Sequence, residues 1–244
     1  MKYNIKISPE YERYREKIED IVIEGMPKGA EIIYHGRNIL YRTMLGDEPV
    51  IVKQFRIPNI INAFAYTTVR TSKALRSYEN SEKMRELGFS APKPIAYGEN
   101  ISGIKLVESC YICEEIKGAT EMRNWEENPD CENLVRTLAR EMVRLHEAGV
   151  WHKDFSPGNV LYTGNAREGY KFHYVDLNRM KFGVHDTKKL YRMFRSMNLN
   201  PDETRRLGRL YGEEAGLDPK AMEEEALRQL EGYFAERRRK EKFK

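Results

Sequence analysis

The run His152-Lys153-Asp154-Phe155-Ser156-Pro157-Gly158-Asn159 carries the most specific chemistry in this sequence of 244 residues. Moving a phosphoryl group onto a hydroxyl needs a carboxylate that accepts the hydroxyl proton and aims the oxygen. It also needs oxygen ligands for the magnesium that bridges the phosphates. The spacing H-x-D-x-x-x-x-N supplies both from one loop, Asp154 toward the hydroxyl and Asn159 toward the metal. His152 is expected to brace the loop. A chance match to this spacing is on the order of 1 in 100 from average residue usage. A helical pattern before it and a strand pattern after it lower that figure further.

Three weaker signals gain weight from their order in the chain. Tyr174-Val175-Asp176-Leu177-Asn178-Arg179 ends an apolar strand on an acid, where protein kinases have the Asp of D-F-G. Asp176 is therefore the expected second metal ligand, although the Phe and Gly of that motif are missing. Val50-Ile51-Val52-Lys53 resembles the V-A-I-K strand whose lysine holds the α and β phosphates. Lys53 then needs a carboxylate from the next helix: Glu79 is favoured over Glu82, and the other would form a surface salt bridge. A glycine-rich phosphate loop is poorly matched. Gly36-Arg37-Asn38 could turn the chain and offer N–H groups and the Arg37 charge to phosphate, or could be a plain hairpin turn. By position alone, Glu114 and Ile116 in the hinge segment Tyr111–Ile116 would meet adenine.

Positioning these residues takes two different layers. Residues 31–55 read as strands with a turn at Gly46-Asp47, residues 72–87 as a helix stopped at Gly88, and 95–98 and 104–116 as a strand pair. From about 117 the pattern becomes helical. Leu134, Val135, Leu138, Met142 and Leu145 recur at i, i+3, i+4 spacing, two short strands flank residue 165, and helices fill 186–240. The expected fold class is α+β: a small antiparallel sheet with one main helix over residues 1–116, hinged to a helical part over 117–244 that holds the loop 152–159.

Composition sets outer bounds. The chain is 40% hydrophobic and 33% charged, with a net charge of +4. No apolar run approaches the roughly 20 residues that span a bilayer, and the polar start lacks a secretory core, so a soluble, non-exported protein is expected. With three cysteines a disulfide framework is not expected. Cys110 and Cys113, on one strand, should point to opposite faces and serve packing rather than redox or metal chemistry. The last eight residues, 237–244, hold six basic side chains and one acidic one. They are a solvated helix end or a contact with anionic lipid. Elsewhere acids and bases look balanced, which argues against nucleic acid as a partner.

Taken together, Gly36-Arg37-Asn38, VIVKQFRIPN around Lys53, SKALRSYEN, APKPIAYGE, HKDFSPGNVLY and VDLNR resemble the bacterial lipopolysaccharide kinases that phosphorylate Kdo or heptose sugars of the inner core. The likeness covers nearly the whole chain. It implies a bilobal protein-kinase-like fold, ATP and Mg2+ as cofactors, Asp154 as catalytic base and Lys53 on the phosphates. It also implies transfer to a lipid-anchored sugar such as Kdo-lipid A, at the cytoplasmic face of the inner membrane. Two departures from protein kinases argue against a protein acceptor: Ser156 stands where a lysine is usual, and only about a dozen residues separate Asp176 from the next helical run, with no A-P-E. A choline- or aminoglycoside-type kinase, an atypical protein kinase, and a pseudokinase that only binds remain as alternatives. The last conflicts with the presence of Lys53, Asp154, Asn159 and Asp176 together.

Overall fold

Apolar residues at both odd and even positions of the strands in the first half of the chain give the sheet a core on each face. The computed structural model describes residues 2–55, 71–103 and 105–241; residues 56–59 of the family-like VIVKQFRIPN run and the end of the basic tail lie outside them. The chain divides into two units, Met1–Lys117 and Gly118–Lys244.

In the first unit β1 (Lys2–Ile7), β2 (Glu31–His35), β3 (Ile39–Leu45), β4 (Glu48–Phe55), β5 (Pro94–Ser102) and β6 (Lys105–Glu114) form one antiparallel sheet in the order β1-β5-β6-β4-β3-β2. Gly46-Asp47 is the two-residue turn of the β3–β4 hairpin, with Leu45 opposite Glu48 and Gly46 at a φ of +67°. On one face Val50, Val52, Ala96, Cys110 and Ile112 are buried with Tyr11, Ile18 and Ile21. On the other, Phe55, Tyr97, Tyr111 and Cys113 pack with Ala74 and Tyr78 of α2 (Lys73–Glu86), which Ser72 caps by accepting from the Leu75 N–H at 3.0 Å. Cys110 and Cys113 thus belong to opposite faces, and burial pushes both thiols up to about 12. They are inert packing groups.

The sheet is larger than the sequence suggests, and it has a second cover. β1 comes from the polar start of the chain, where Tyr3, Ile5 and Ile7 alternate with exposed Lys2, Asn4 and Lys6. The helix α1 (Arg15–Ile23), entered through a 3-10 turn at Pro9–Tyr14, brings Ile18 and Ile21 to the core.

The second unit is built on α3 (Cys131–Glu147), whose apolar stripe buries Leu134, Val135, Leu138, Met142 and Leu145. A three-stranded antiparallel sheet, β7 (Thr120–Glu121), β8 (Val160–Asn165) and β9 (Gly169–Tyr174), adjoins it. The helices α4 (Thr187–Leu190), α5 (Arg192–Ser196), α6 (Pro201–Ala215) and α7 (Pro219–Glu241) complete it. Gly149, at a φ of +65°, ends α3 where the chain turns into the loop.

Candidate active site

The loop that follows α3 is held by its own side chains. His152 is buried, with Nε2 3.0 Å from the Val175 carbonyl oxygen and Nδ1 3.2 Å from the Asp154 N–H. A carbonyl can only accept and an N–H only donate, so the ring is a neutral Nε2–H tautomer. Burial also lowers its pKa. His152 braces the loop, as the sequence suggests. Phe155 is fully buried, its ring 6.0 Å from His152 and 6.1 Å from Tyr174. Two core residues therefore bracket Asp154 and fix the backbone on either side of it.

Strand register brings the two expected metal ligands together. Val160 pairs with Tyr174, and the next rung is closed by the Val175 N–H donating to the Asn159 carbonyl at 3.0 Å. Asn159 and Asp176 therefore emerge together at the open end of the β8–β9 hairpin. The Asn159 amide nitrogen donates to the Asp154 carbonyl at 2.8 Å, so its donor end is fixed and its carbonyl oxygen is the end offered to a cation. Asp176 holds a left-handed backbone, φ 55° and ψ 50°, uncommon outside glycine and better tolerated by Asp and Asn than by other side chains. Strain at a carboxylate between two elements is a mark of functional sites. A carboxylate and an amide oxygen are hard donors, and Mg2+ takes one or two such side chains alongside substrate phosphates. The pair fits that ion. Among the described residues no group of three or more His, Cys, Asp or Glu stands ready to hold a metal.

Asp154 has a partner the sequence did not suggest. One Arg179 guanidinium nitrogen lies 2.7 and 3.0 Å from its two carboxylate oxygens. The segment carrying Arg179 returns to the loop as a short bridge: Trp151 and Lys181 exchange backbone bonds of 2.8 and 3.0 Å, and the Val184 N–H donates to Gly149 at 2.9 Å. The stretch between Asp176 and α4 is pinned to the start of the loop that carries Asp154.

The remaining expected residues belong to the N-terminal unit. Lys53 pairs across the sheet with Tyr111 and shares the parity of Phe55, so it lies on the α2 face. Glu82 is engaged by Lys6 at 3.8 Å as an exposed salt bridge, and Glu79 lies on the same helix. The Tyr97 phenol on the same face is raised by burial, then by Glu99, with Glu79 a smaller contributor. Gly36-Arg37-Asn38 joins β2 to β3, the Gly36 N–H donating to the Asn38 carbonyl at 3.2 Å. Neither Gly36 nor Asn38 uses a positive φ. A Cβ at Gly36 would lie 2.6 Å from the hydroxyl of Tyr34, an exposed side chain that can swing aside. Glu114 ends β6, accepts from Tyr11 and lies 3.8 Å from Lys93, with its own N–H bonded to the Lys93 carbonyl at 3.0 Å. Ile116 follows it, outside any strand.

The model of the lipopolysaccharide kinase (Kdo/WaaP) family matches residues 58–211. The chain belongs to this family. A 3-deoxy-D-manno-octulosonic acid kinase of Vibrio cholerae serotype O1 (strain ATCC 39315 / El Tor Inaba N16961) is 23% identical over 103 residues, which are 42% of this chain and 43% of that protein. The match thus spans less than half the length of the curated relative. Among solved structures, WaaP in complex with acyl carrier protein aligns with a TM-score of 0.59 and 18% identity, over 94% of this chain and 99% of that one. The Rio2 kinase–ADP/Mg2+–phosphoaspartate complex from Chaetomium thermophilum aligns with a TM-score of 0.54 and 16% identity, over 93% and 75%. The family member described here has the protein-kinase-like fold, of mixed α+β class.

Proposed function

We propose that this chain is an ATP-dependent kinase that transfers the γ-phosphate to a sugar hydroxyl of the lipopolysaccharide inner core, Kdo or heptose. The observation that carries the reading is the juxtaposition of Asn159 and Asp176 at the mouth of the β8–β9 hairpin, beside a loop that offers Asp154. Family membership and the name of the Vibrio cholerae relative support the acceptor class.

In this reading Asp154 accepts the acceptor's hydroxyl proton as the new P–O bond forms and the bond to ADP breaks. Asn159 and Asp176 would hold Mg2+, which when bound neutralises charge on the phosphates. Lys53, oriented by Glu79, holds the α and β phosphates. The turn Gly36-Arg37-Asn38 covers them, and the backbone at Glu114 and Ile116 meets adenine. A protein acceptor is disfavoured by the short pinned segment after Asp176, which leaves little backbone to dock a peptide.

The acceptor would be lipid-anchored, and ATP places the reaction on the cytoplasmic side of the inner membrane. Among the described residues no helix is long and apolar enough to cross a membrane. Exposed Arg237, Arg238 and Arg239 at the end of α7 would instead attract an anionic surface, each cation adding about 1 kcal/mol. Removing residues 237–244 should then weaken attachment to anionic vesicles; equal attachment by both forms rules this out.

The deciding experiment incubates the protein with labelled ATP, magnesium and, in parallel, Kdo-lipid A, choline, an aminoglycoside and casein. Label should enter Kdo-lipid A. Label entering choline, the aminoglycoside or casein instead would overturn the acceptor assignment.

A further inference from the structure

Cations on the surface of the C-terminal unit mostly meet carboxylates. Arg140 binds Glu214 at 2.8 Å, Arg136 binds Glu213 at 2.8 Å and Arg195 binds Glu236 at 3.2 Å. Around Trp151 this pattern breaks. Trp151 and Lys181 exchange both backbone hydrogen bonds, so they are directly opposed and their side chains share a face. The Lys153 ammonium lies 4.9 Å from the centre of the Trp151 ring, and the Arg192 guanidinium 6.0 Å. Among the described residues, no carboxylate comes within 4.0 Å of Lys153, Lys181 or Arg192.

Gathered like charges repel, and a bound anion relieves the repulsion. Lys153 already registers it: burial first, then the charges of Lys181 and Arg179, lower its pKa. The cluster also borders the reacting group, because Lys153 precedes Asp154 in the chain.

We propose that Lys153, Lys181 and Arg192, set round Trp151, hold a carboxylate or phosphate carried by the acceptor while Asp154 receives its hydroxyl. This rests on the phosphotransferase reading above and adds the charge of the acceptor and the residues that select it. The guanidinium offers a planar fork to either anion, and the two ammoniums act as point charges. The indole gives a flat apolar wall for the carbon face of a sugar ring.

Binding can be measured without turnover. Trp125→Phe removes the other of the two tryptophans, so that Trp151 fluorescence reports the site. This protein is titrated with the methyl glycoside of 3-deoxy-D-manno-octulosonic acid, with the carboxyl methyl ester of that glycoside, and with inorganic phosphate. The acid should bind at least about tenfold more tightly than its ester, the size of one charge-assisted hydrogen bond. Lys153→Met with Lys181→Met should weaken the acid about tenfold and leave the ester unchanged, and arginine at both positions should restore binding. Inorganic phosphate binding more tightly than the acid, with the same sensitivity to the methionine pair, supports the site and names a phosphate as its anion.

Equal affinity for acid and ester, or an acid affinity untouched by the methionine pair, would overturn the proposal. So would a pair that loses only attachment to anionic vesicles, which would make the cluster a membrane contact. If the pair lowers the melting temperature, Arg192→Met, outside the backbone bridge, carries the same test. Anion binding in a protein that phosphorylates no acceptor would remove the kinase reading and leave the site standing. Transfer that uses acid and ester equally would do the converse.

Discussion

Arg179 binds both carboxylate oxygens of Asp154 through a single guanidinium nitrogen, at 2.7 and 3.0 Å. Both side chains are partly open to water, 56% and 31% exposed, so the pair adds at most about 1 kcal/mol to stability. Its larger effect is on orientation: it fixes the carboxylate that, in the proposed mechanism, receives the hydroxyl. Arg179→Met should lower kcat about tenfold while the melting temperature moves by no more than a few degrees and the KM for ATP stays put. Arg179→Lys should recover part of the rate. An unchanged kcat in Arg179→Met would show that the clasp does not position Asp154.

Asp154 itself is open to a sharper measurement. A general base contributes about 10² to 10⁴ in rate. Asp154→Ala should therefore cut phosphoryl transfer at least a hundredfold, while the affinity for ATP with magnesium, read by calorimetry, changes little. Turnover equal to that of the parent protein would remove Asp154 from the chemistry.

Asp176 separates charge from backbone. Asn tolerates the left-handed conformation, so Asp176→Asn should melt with the parent protein yet need much more magnesium for half-maximal rate. Asp176→Ala meets the same loss and, in addition, about 1 kcal/mol of backbone strain. Magnesium titrations and thermal melts distinguish the two; an unaltered magnesium requirement in the Asn variant would exclude Asp176 as a ligand.

Glu79 and Glu82 make a paired comparison within one helix. Glu82 is occupied by Lys6 on the surface, so Glu82→Ala should leave turnover and stability close to those of the parent. If Glu79 orients Lys53 as proposed, Glu79→Ala should lower kcat and raise the KM for ATP together. The reverse ranking in steady-state kinetics would reassign the pair.

Acid should loosen the C-terminal unit through His146. Buried against Tyr211, with Nδ1 2.9 Å from its hydroxyl, it has a pKa that burial lowers to about 4. The unfolded chain takes up that proton near 6.5 and the native state does not, so stability falls as pH drops from about 6.5 to about 4. The slope is about 1.4 kcal/mol per pH unit and the total is limited to about 3 kcal/mol. His152, also lowered by burial, acts in the same direction. Urea midpoints at pH 7 and 4.5 should differ less in His146→Phe than in the parent protein.

What could be read from the sequence divides by physical cause. The place of the loop 152–159 between a helix and a strand, and of Asp176 just past a strand end, is legible because the apolar patterns on either side dictate it, and the β3–β4 hairpin because Gly46-Asp47 suits few other turns. β1 was missed because Lys2, Asn4 and Lys6 mask the alternation of Tyr3, Ile5 and Ile7, which was the available signal. α1 likewise had a signal in the spacing of Ile18, Ile21 and Val22. The clasp of Asp154 by Arg179 and the gathering of Lys153, Lys181 and Arg192 had none. Counted along the chain their charges look balanced, and only the return of the segment after Asp176 brings the cations together.

The joint between Trp151 and Lys181 is made of main-chain atoms alone, so its geometry is indifferent to the side chains at either position. Substitution can therefore repaint this patch of surface while the neighbouring carboxylates stay where they are. If the patch selects the acceptor as proposed, its charge can be altered without moving the loop that carries Asp154.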